Sequence, residues 1–258
     1  SAKNLKGELP INKIRLGLNY ENRPSNEWKV TAASSIAKQK DDYQMISGKR
    51  SHCTNEANVR TWSLSSKDNK INVEVRAYND GLAFRYLDND TTRKVLSENT
   101  AFLIPDGITR WQQPYDAFGY EDFYEKCTDG NAIKNRKTAN QWGYPLLLKS
   151  DSGIYTLITE SGIRRGDCAS LLNNKEVLNE YRVERGDVRL NKLMPVTSPW
   201  RVLIIGSLND IVESTLVTDV AEPNVTGDAS WVKPGAAAWV YWAYNHGSKD
   251  YQIVKRFQ

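Results

Sequence analysis

Histidine is the scarcest reactive residue in this sequence: only His52 and His246 occur among 258 residues. A histidine-rich zinc site is therefore excluded, and any Ser-His-Asp triad has to use one of these two. Neither has an evident partner in its stretch of sequence, and neither is assigned a role. Cys53, Cys127 and Cys168 are widely separated. No Cys-x-x-Cys pair exists, so zinc-ribbon and thioredoxin-type chemistry fall away. An odd count leaves at least one free thiol, and small buried or half-buried side chains are the expectation for all three. Eight Trp and thirteen Tyr are many for this length. Most suit a sandwich core, and a few suit stacking on sugar rings.

The elements that position such residues are bounded by composition. Apolar residues make up 40% and charged residues 26%, enough for a sizeable core and against disorder. The net charge is +4 and the positive residues are spread along the chain, which argues against a nucleic-acid partner. No apolar run reaches the ~18 residues of a membrane helix, so no membrane partner is expected. The opening Ser1-Ala2-Lys3-Asn4 lacks the apolar core of a signal peptide, which says nothing about location.

Most of the first 200 residues read as β structure. Ile71, Val73, Val75 and Ala77 alternate with Asn72, Glu74 and Arg76, the period of a half-buried strand. Asn79-Asp80-Gly81 supplies a turn, and Leu82, Phe84 and Tyr86 resume the alternation, so a hairpin is predicted. Further strands are predicted at 14–18, 28–32, 60–65, 100–103, 144–149, 153–159, 175–183 and 200–205. Many short strands with polar turns imply antiparallel sheets packed as a sandwich. The polar stretch 119–141 reads as a surface excursion or short helix.

The pattern changes at Ser207. Ser207 with Asp210 three positions on fits a capped helix start, with Leu208, Ile211, Val212 and Leu216 on one face. Residues 221–228 have linker composition. Ala236 to Ala243 is then apolar on both faces, as in a parallel strand buried on both sides. Ser248 suits the cap of a following helix. One strand-helix unit without a parallel neighbour implies a fragment of a longer protein.

Four segments, in order, resemble glycoside hydrolase family 97, the Bacteroides-type α-glucosidases and α-galactosidases. They are Glu74 to Tyr86 (EVRAYNDGLAFRY), Thr156 to Glu160 (TLITE), Ser198 to Gly206 (SPWRVLIIG) continuing through Thr218, and Ser230 to Gly235 (SWVKPG) leading into a Trp-rich strand. The resemblance covers about Ile14 to Gln258. It implies a mostly β fold: an antiparallel β-super-sandwich similar to galactose mutarotase over 1–222, a linker over 223–235, and the first βα unit of a truncated (β/α)8 barrel over 236–258. The family usually has one more hairpin before Leu16 to Leu18, so the start also looks shortened.

The implied chemistry is exo-acting α-glycoside hydrolysis of an oligosaccharide, which needs two carboxyl groups flanking the scissile bond. In a barrel these stand at the C-terminal ends of strands, and Ala236 to Ala243 holds no Asp or Glu, so no catalytic residue is expected in this chain. The resemblance makes Glu160 one ligand of a calcium ion in the intact enzyme, a hard cation that takes six to eight oxygens. Weak metal binding or none is expected of this chain alone. Trp239 and Trp242 are candidates to floor a sugar site or to pack the barrel core. Tyr120, Glu121 and Tyr124 resemble a tyrosine-rich loop of the family, and local packing is the plainer role. Arg164 and Arg165 either neutralise Glu160, meet substrate hydroxyls or are solvated. Ala236 and Val240 stand where relatives carry a basic and an acidic residue, which leaves the substrate subgroup open. The missing barrel is the implied partner, and a periplasmic or secreted location follows from the family. A non-catalytic carbohydrate-binding or interaction module is the main alternative, but it has no use for a barrel's first strand. A mutarotase-like epimerase fares worse, because it needs a catalytic His.

Overall fold

The computed structural model describes residues 8–21, 27–90, 94–116, 123–131, 140–164, 167–186, 197–223, 227–228 and 230–236. Two short strands open the chain, β1 (Lys13–Arg15) and β2 (Leu18–Tyr20). Then come β3 (Lys29–Ala33), β4 (Ala37–Gln44) and the long β5 (His52–Ser66). The predicted hairpin is β6 (Asn69–Tyr78) with β7 (Gly81–Leu87). It is followed by β8 (Val95–Glu98), β9 (Ala101–Leu103), β10 (Thr109–Pro114) and β11 (Glu125–Cys127). The last strands are β12 (Gln141–Lys149), β13 (Tyr155–Ser161), β14 (Ser170–Asn173), β15 (Glu180–Arg185) and β16 (Trp200–Gly206). Two short helices follow, α1 (Leu208–Glu213) and α2 (Leu216–Asp219).

Fourteen strands make one sheet along the path β1-β9-β15-β14-β12-β13-β16-β7-β6-β5-β3, with β10, β11 and β4 pairing beside it; β2 and β8 form a second, two-stranded sheet. Strands from distant parts of the path share one core. Leu64, Ile71 and Val73 of β5 and β6 pack with Phe102, Leu172 and Tyr181 of β9, β14 and β15. The sheet therefore folds over on itself as a sandwich, and the fold is mostly β. Each of these side chains contributes about 1.5–3 kcal/mol by leaving water.

β16 sits between β13 and β7 and is covered on both sides. Leu203 and Ile205 belong to the sandwich core, while Trp200, Val202 and Ile204 pack with Ile211 of α1, Leu216 of α2 and Tyr78. Burial of both faces explains its continuous apolar run. Gly81 lets the hairpin lie against it: a Cβ there would stand 2.1 Å from the Leu203 carbonyl oxygen.

Several sequence expectations are corrected. The strand predicted over 14–18 breaks at Leu16-Gly17, because Gly17 takes φ +145° and the Trp28 ring fills the space of a side chain there. Residues 175–179 turn between β14 and β15 instead of extending a strand, with Glu180 N–H closing on the Val177 carbonyl. The excursion at 119–141 contains β11, paired with β10, and ends in the first residue of β12. β4 and the first half of β5 escaped the periodicity because they are mostly polar on both faces. α1 carries the predicted capping box of Ser207 and Asp210, but only Ile211 is buried in it; Leu208 and Val212 are exposed, and Leu216 belongs to α2.

Residues 1–43 with 53–222 form one compact unit, and 44–52 with 223–258 a second. In the second, the Ser230 N–H and hydroxyl both donate to the Asp228 carboxylate. The strand expected from Ala236 to Ala243 lies, apart from Ala236, outside the described residues, as does the helix after Ser248. Among the described residues no helix is long and apolar enough to cross a membrane.

Candidate functional site

Glu160 is the penultimate residue of β13 and stands directly opposite Arg201 of β16. Antiparallel register puts both side chains on one face. Arg201 Nη1 donates to Glu160 Oε2 at 2.6 Å. The same guanidinium forks onto Glu98 at the end of β8, with Nε to Oε1 at 3.0 Å and Nη2 to Oε2 at 2.6 Å. Ser170 completes the cluster. Its N–H donates to Glu160 Oε1 at 2.9 Å, its hydroxyl donates to Oε2 at 2.6 Å, and its Oγ accepts from Arg201 at 3.1 Å. The Tyr144 hydroxyl lies 3.5 Å from Ser170 Oγ.

The Arg201 and Glu98 side chains are each 4% exposed and that of Glu160 7%, so one guanidinium holds two carboxylates inside the sandwich. Burial opposes the arginine's charge. Glu98 foremost, with Tyr144 and Glu160, outweighs it and holds Arg201 above the ordinary arginine range. Burial pushes the Tyr144 hydroxyl up, against the pull of Arg201. Burial likewise raises Tyr86, whose hydroxyl meets Thr100 and the Gly17 N–H. This arrangement orients rather than reacts: both carboxylates are engaged by fixed donors.

A second ionic cluster lies on the other side of β16. The Trp200 ring is flanked by Arg85, 4.3 Å from Cζ to ring centre, and Arg76, 4.7 Å. Both arginines grip Glu74, Arg76 Nε to Oε1 at 3.0 Å and Arg85 Nη2 to Oε2 at 2.8 Å. Glu222 Oε1 then receives Arg164 at 2.6 Å and Arg85 at 3.3 Å. The hydrogen bond from Arg164 is the main cause that holds the Glu222 carboxyl below its ordinary range.

Arg164 therefore serves Glu222, and the neutralising partner of Glu160 is Arg201. Tyr124 is exposed just ahead of β11. Trp239, Trp242, Tyr120, Glu121, Arg165, Val240 and His246 lie outside the described residues. All three cysteines are free, with Cys53 buried and Cys127 and Cys168 half-buried. Sequence reasoning missed Arg201, Glu98 and Ser170. Arg201 did leave a signal: a lone charge inside the apolar run Trp200 to Ile205 needs a buried counter-ion.

By themselves the described residues do not make a calcium site. Calcium takes six to eight oxygens, and no group of three or more His, Cys, Asp or Glu side chains comes together among them. Glu160 offers one carboxylate, and its oxygens already accept from Arg201 and Ser170.

The sequence model described as Glycosyl-hydrolase 97 N-terminal matches residues 3–223. A probable retaining alpha-galactosidase of Streptomyces bingchenggensis is 30% identical over 174 residues, covering 67% of this chain and 26% of that protein. A retaining alpha-galactosidase of Bacteroides thetaiotaomicron is 26% identical over 203 residues, covering 66% of this chain and 30% of that protein. Among solved structures, a beta-arabinopyranosidase aligns with TM-score 0.72 at 26% identity, over 84% of this chain and 38% of its own. A glycoside hydrolase family 97 enzyme of Pseudoalteromonas sp. strain K8, solved with acarbose, aligns with TM-score 0.70 at 24% identity, over 87% and 35%. The chain thus spans under a third of the length of the curated relatives it matches.

Proposed function

The chain belongs to glycoside hydrolase family 97 through its N-terminal domain, and from that premise we propose that it is the N-terminal part of an exo-acting α-glycoside hydrolase, with α-galactosides the favoured substrates. The observation that carries this is the family match over residues 3–223, joined to two relatives named as retaining alpha-galactosidases. The catalytic carboxylates are assigned to polypeptide outside residues 1–258, in a barrel that begins near Ala236, and a periplasmic or secreted location goes with this assignment. The end of the match at residue 223 supports a division into a sandwich over 1–222, a linker over 223–235 and a barrel start over 236–258.

Within this proposal the sandwich acts on the reaction from outside, by holding the strand ends that border the rest of the enzyme. Arg201 and Ser170 fix the Glu160 carboxylate. Among the described residues Glu160 Oε1 accepts only the Ser170 N–H and keeps a lone pair, so a role for Glu160 as one calcium ligand in the whole enzyme is compatible with these donors staying in place.

The deciding experiment measures hydrolysis of aryl α-galactoside and α-glucoside, together with calcium titration, on the longer parent protein, its Glu160→Ala variant and the 258-residue chain. The proposal expects activity in the parent and none in the chain alone. Cleavage by the 258-residue chain would overturn the assignment of the catalytic groups. Calcium affinity lost in Glu160→Ala supports the ligand role, and affinity left unchanged confines Glu160 to its ion pair.

A further inference from the structure

The large sheet ends its path at β1 on one side and β3 on the other, and residues of both border one open cleft of about 790 Å³. That volume falls within the ~300–1,000 Å³ of small-ligand clefts. Lys13 and Arg15 stand along the β1 side, Trp28 and Lys29 along the β3 side, and Arg182 reaches in from β15. Glu27 is the one carboxylate among the described lining residues.

The cationic groups are held in place. Arg15 and Arg182 both lie opposite Ala101, one on each side of β9. Beneath them the Glu180 carboxylate forms ion pairs with Arg15 Nη2 at 3.1 Å and Arg182 Nη2 at 2.6 Å. That carboxylate is buried, whereas the arginine side chains remain 51% and 40% exposed. Asn19 and Asn99 exchange reciprocal amide hydrogen bonds of 2.6 and 2.9 Å, which fixes two planar amides at the same cleft. Among the described residues here, two N–H donors, Trp28 Nε1 and Arg182 Nε, and one acceptor, Glu180 Oε1, are buried without a hydrogen-bond partner. A buried donor without a partner costs about 1–3 kcal/mol.

Donors and positive charge dominate, so the fitting ligand is rich in acceptors and anionic. An added peptide strand suits the cleft poorly. β1 is three residues long, and lysines on both edges are the usual device against strand addition. An indole beside planar amides and guanidinium groups instead matches a pyranose, with its apolar C–H face and adjacent hydroxyls.

We propose that this cleft binds a short carboxylate-bearing saccharide of the uronate class. The saccharide class rests on the glycosidase assignment; the preference for an anion rests on the cleft alone.

The test titrates the 258-residue chain calorimetrically with trigalacturonate, maltotriose and hexaglutamate, at low and high salt. Trigalacturonate is expected to saturate one site with an affinity that falls as salt rises. The exposed double variant Lys13→Gln/Lys29→Gln is expected to bind about tenfold more weakly. Absence of saturable binding, equal binding of maltotriose, equal binding of hexaglutamate or an unaffected double variant would each overturn the proposal. Hydrolysis of α-galactosides by the parent is read separately, so the glycosidase assignment can fall while the anion site stands, or the reverse.

Discussion

The two sides of β16 carry opposite charge arithmetic. On the sandwich side one arginine, Arg201, serves two carboxylates, Glu98 and Glu160. On the helix side two arginines, Arg76 and Arg85, serve one carboxylate, Glu74, with Glu222 taking a spare Arg85 nitrogen. The first cluster is sealed, its side chains no more than 7% exposed. The second is stacked on Trp200 and 11–17% exposed at Glu74 and its arginines. In the sealed cluster, losing one member strands a charge with no water to turn to. In the open one, water and the indole face absorb much of the loss. Adjacent residues of one strand, Trp200 and Arg201, therefore differ in what a substitution there does to the whole domain.

The largest effect is expected from Arg201→Met, which leaves two buried carboxylates facing each other. It should lower unfolding free energy by about 3–5 kcal/mol, or prevent folding, as read by urea denaturation. The counterpart Arg85→Met should cost about 1 kcal/mol, since Arg76 still holds Glu74. Equal losses in the two variants would erase the contrast between the sides.

Glu160→Gln comes next. It keeps the shape and one acceptor but removes the charge opposite Arg201, which still has Glu98. A loss of about 1–3 kcal/mol is expected in the same measurement, with soluble protein retained. A loss below that of Arg85→Met would show the triad to be dispensable on the β13 side.

High pH gives a third test. Tyr86 and Tyr144 are raised above the ordinary tyrosine value of about 10 by burial. A raised folded value means that their stabilising contribution is complete below pH ~10 and is lost as pH climbs toward the folded values. Unfolding followed by circular dichroism should therefore begin above pH ~10, together with tyrosinate absorbance. Tyr78, on the helix side, is raised by burial as well, so Tyr144→Phe isolates the triad side by delaying the transition.

The smallest effect belongs to Glu222→Gln. The Glu222 side chain is 53% exposed, and solvent screening limits its pairs with Arg164 and Arg85 to at most about 0.5 kcal/mol. Its lowered folded value places that contribution above the unfolded carboxyl value of ~4.3, and it is lost as pH falls further. Wild type and variant should differ slightly at pH 7 and converge near pH 3.

What the sequence disclosed follows from which physical signal each element carries. β6, β7 and β16 were legible because their periodicity reports burial directly. β4 and the first half of β5 were not, because a strand with polar side chains on both faces leaves no period to read. The helix cap at Ser207 was local chemistry and therefore visible, while the inward face of α1 was set by tertiary packing and was misjudged. Glu160 was legible as a position at a strand end. Its partners lie at residues 98, 170 and 201, and the pairing exists only through the strand order β13-β16 and the approach of β8. A carboxylate alone in sequence can belong to a metal or to a guanidinium, and its neighbours along the chain do not distinguish the two.

The place of β16 in the sheet also has a consequence in time. It is the last of the sixteen strands among the described residues to leave the ribosome, yet it is the strand through which β13 and β7 are joined. Until it emerges, the nascent chain holds two half-sheets, each ending in an unsatisfied edge that invites pairing with another chain. Closure of the sandwich, burial of the Arg201 triad and docking of α1 and α2 all wait on the same seven residues. Synthesis halted before Trp200 should therefore release a chain that aggregates, whereas synthesis carried through Gly206 completes the large sheet in one late step.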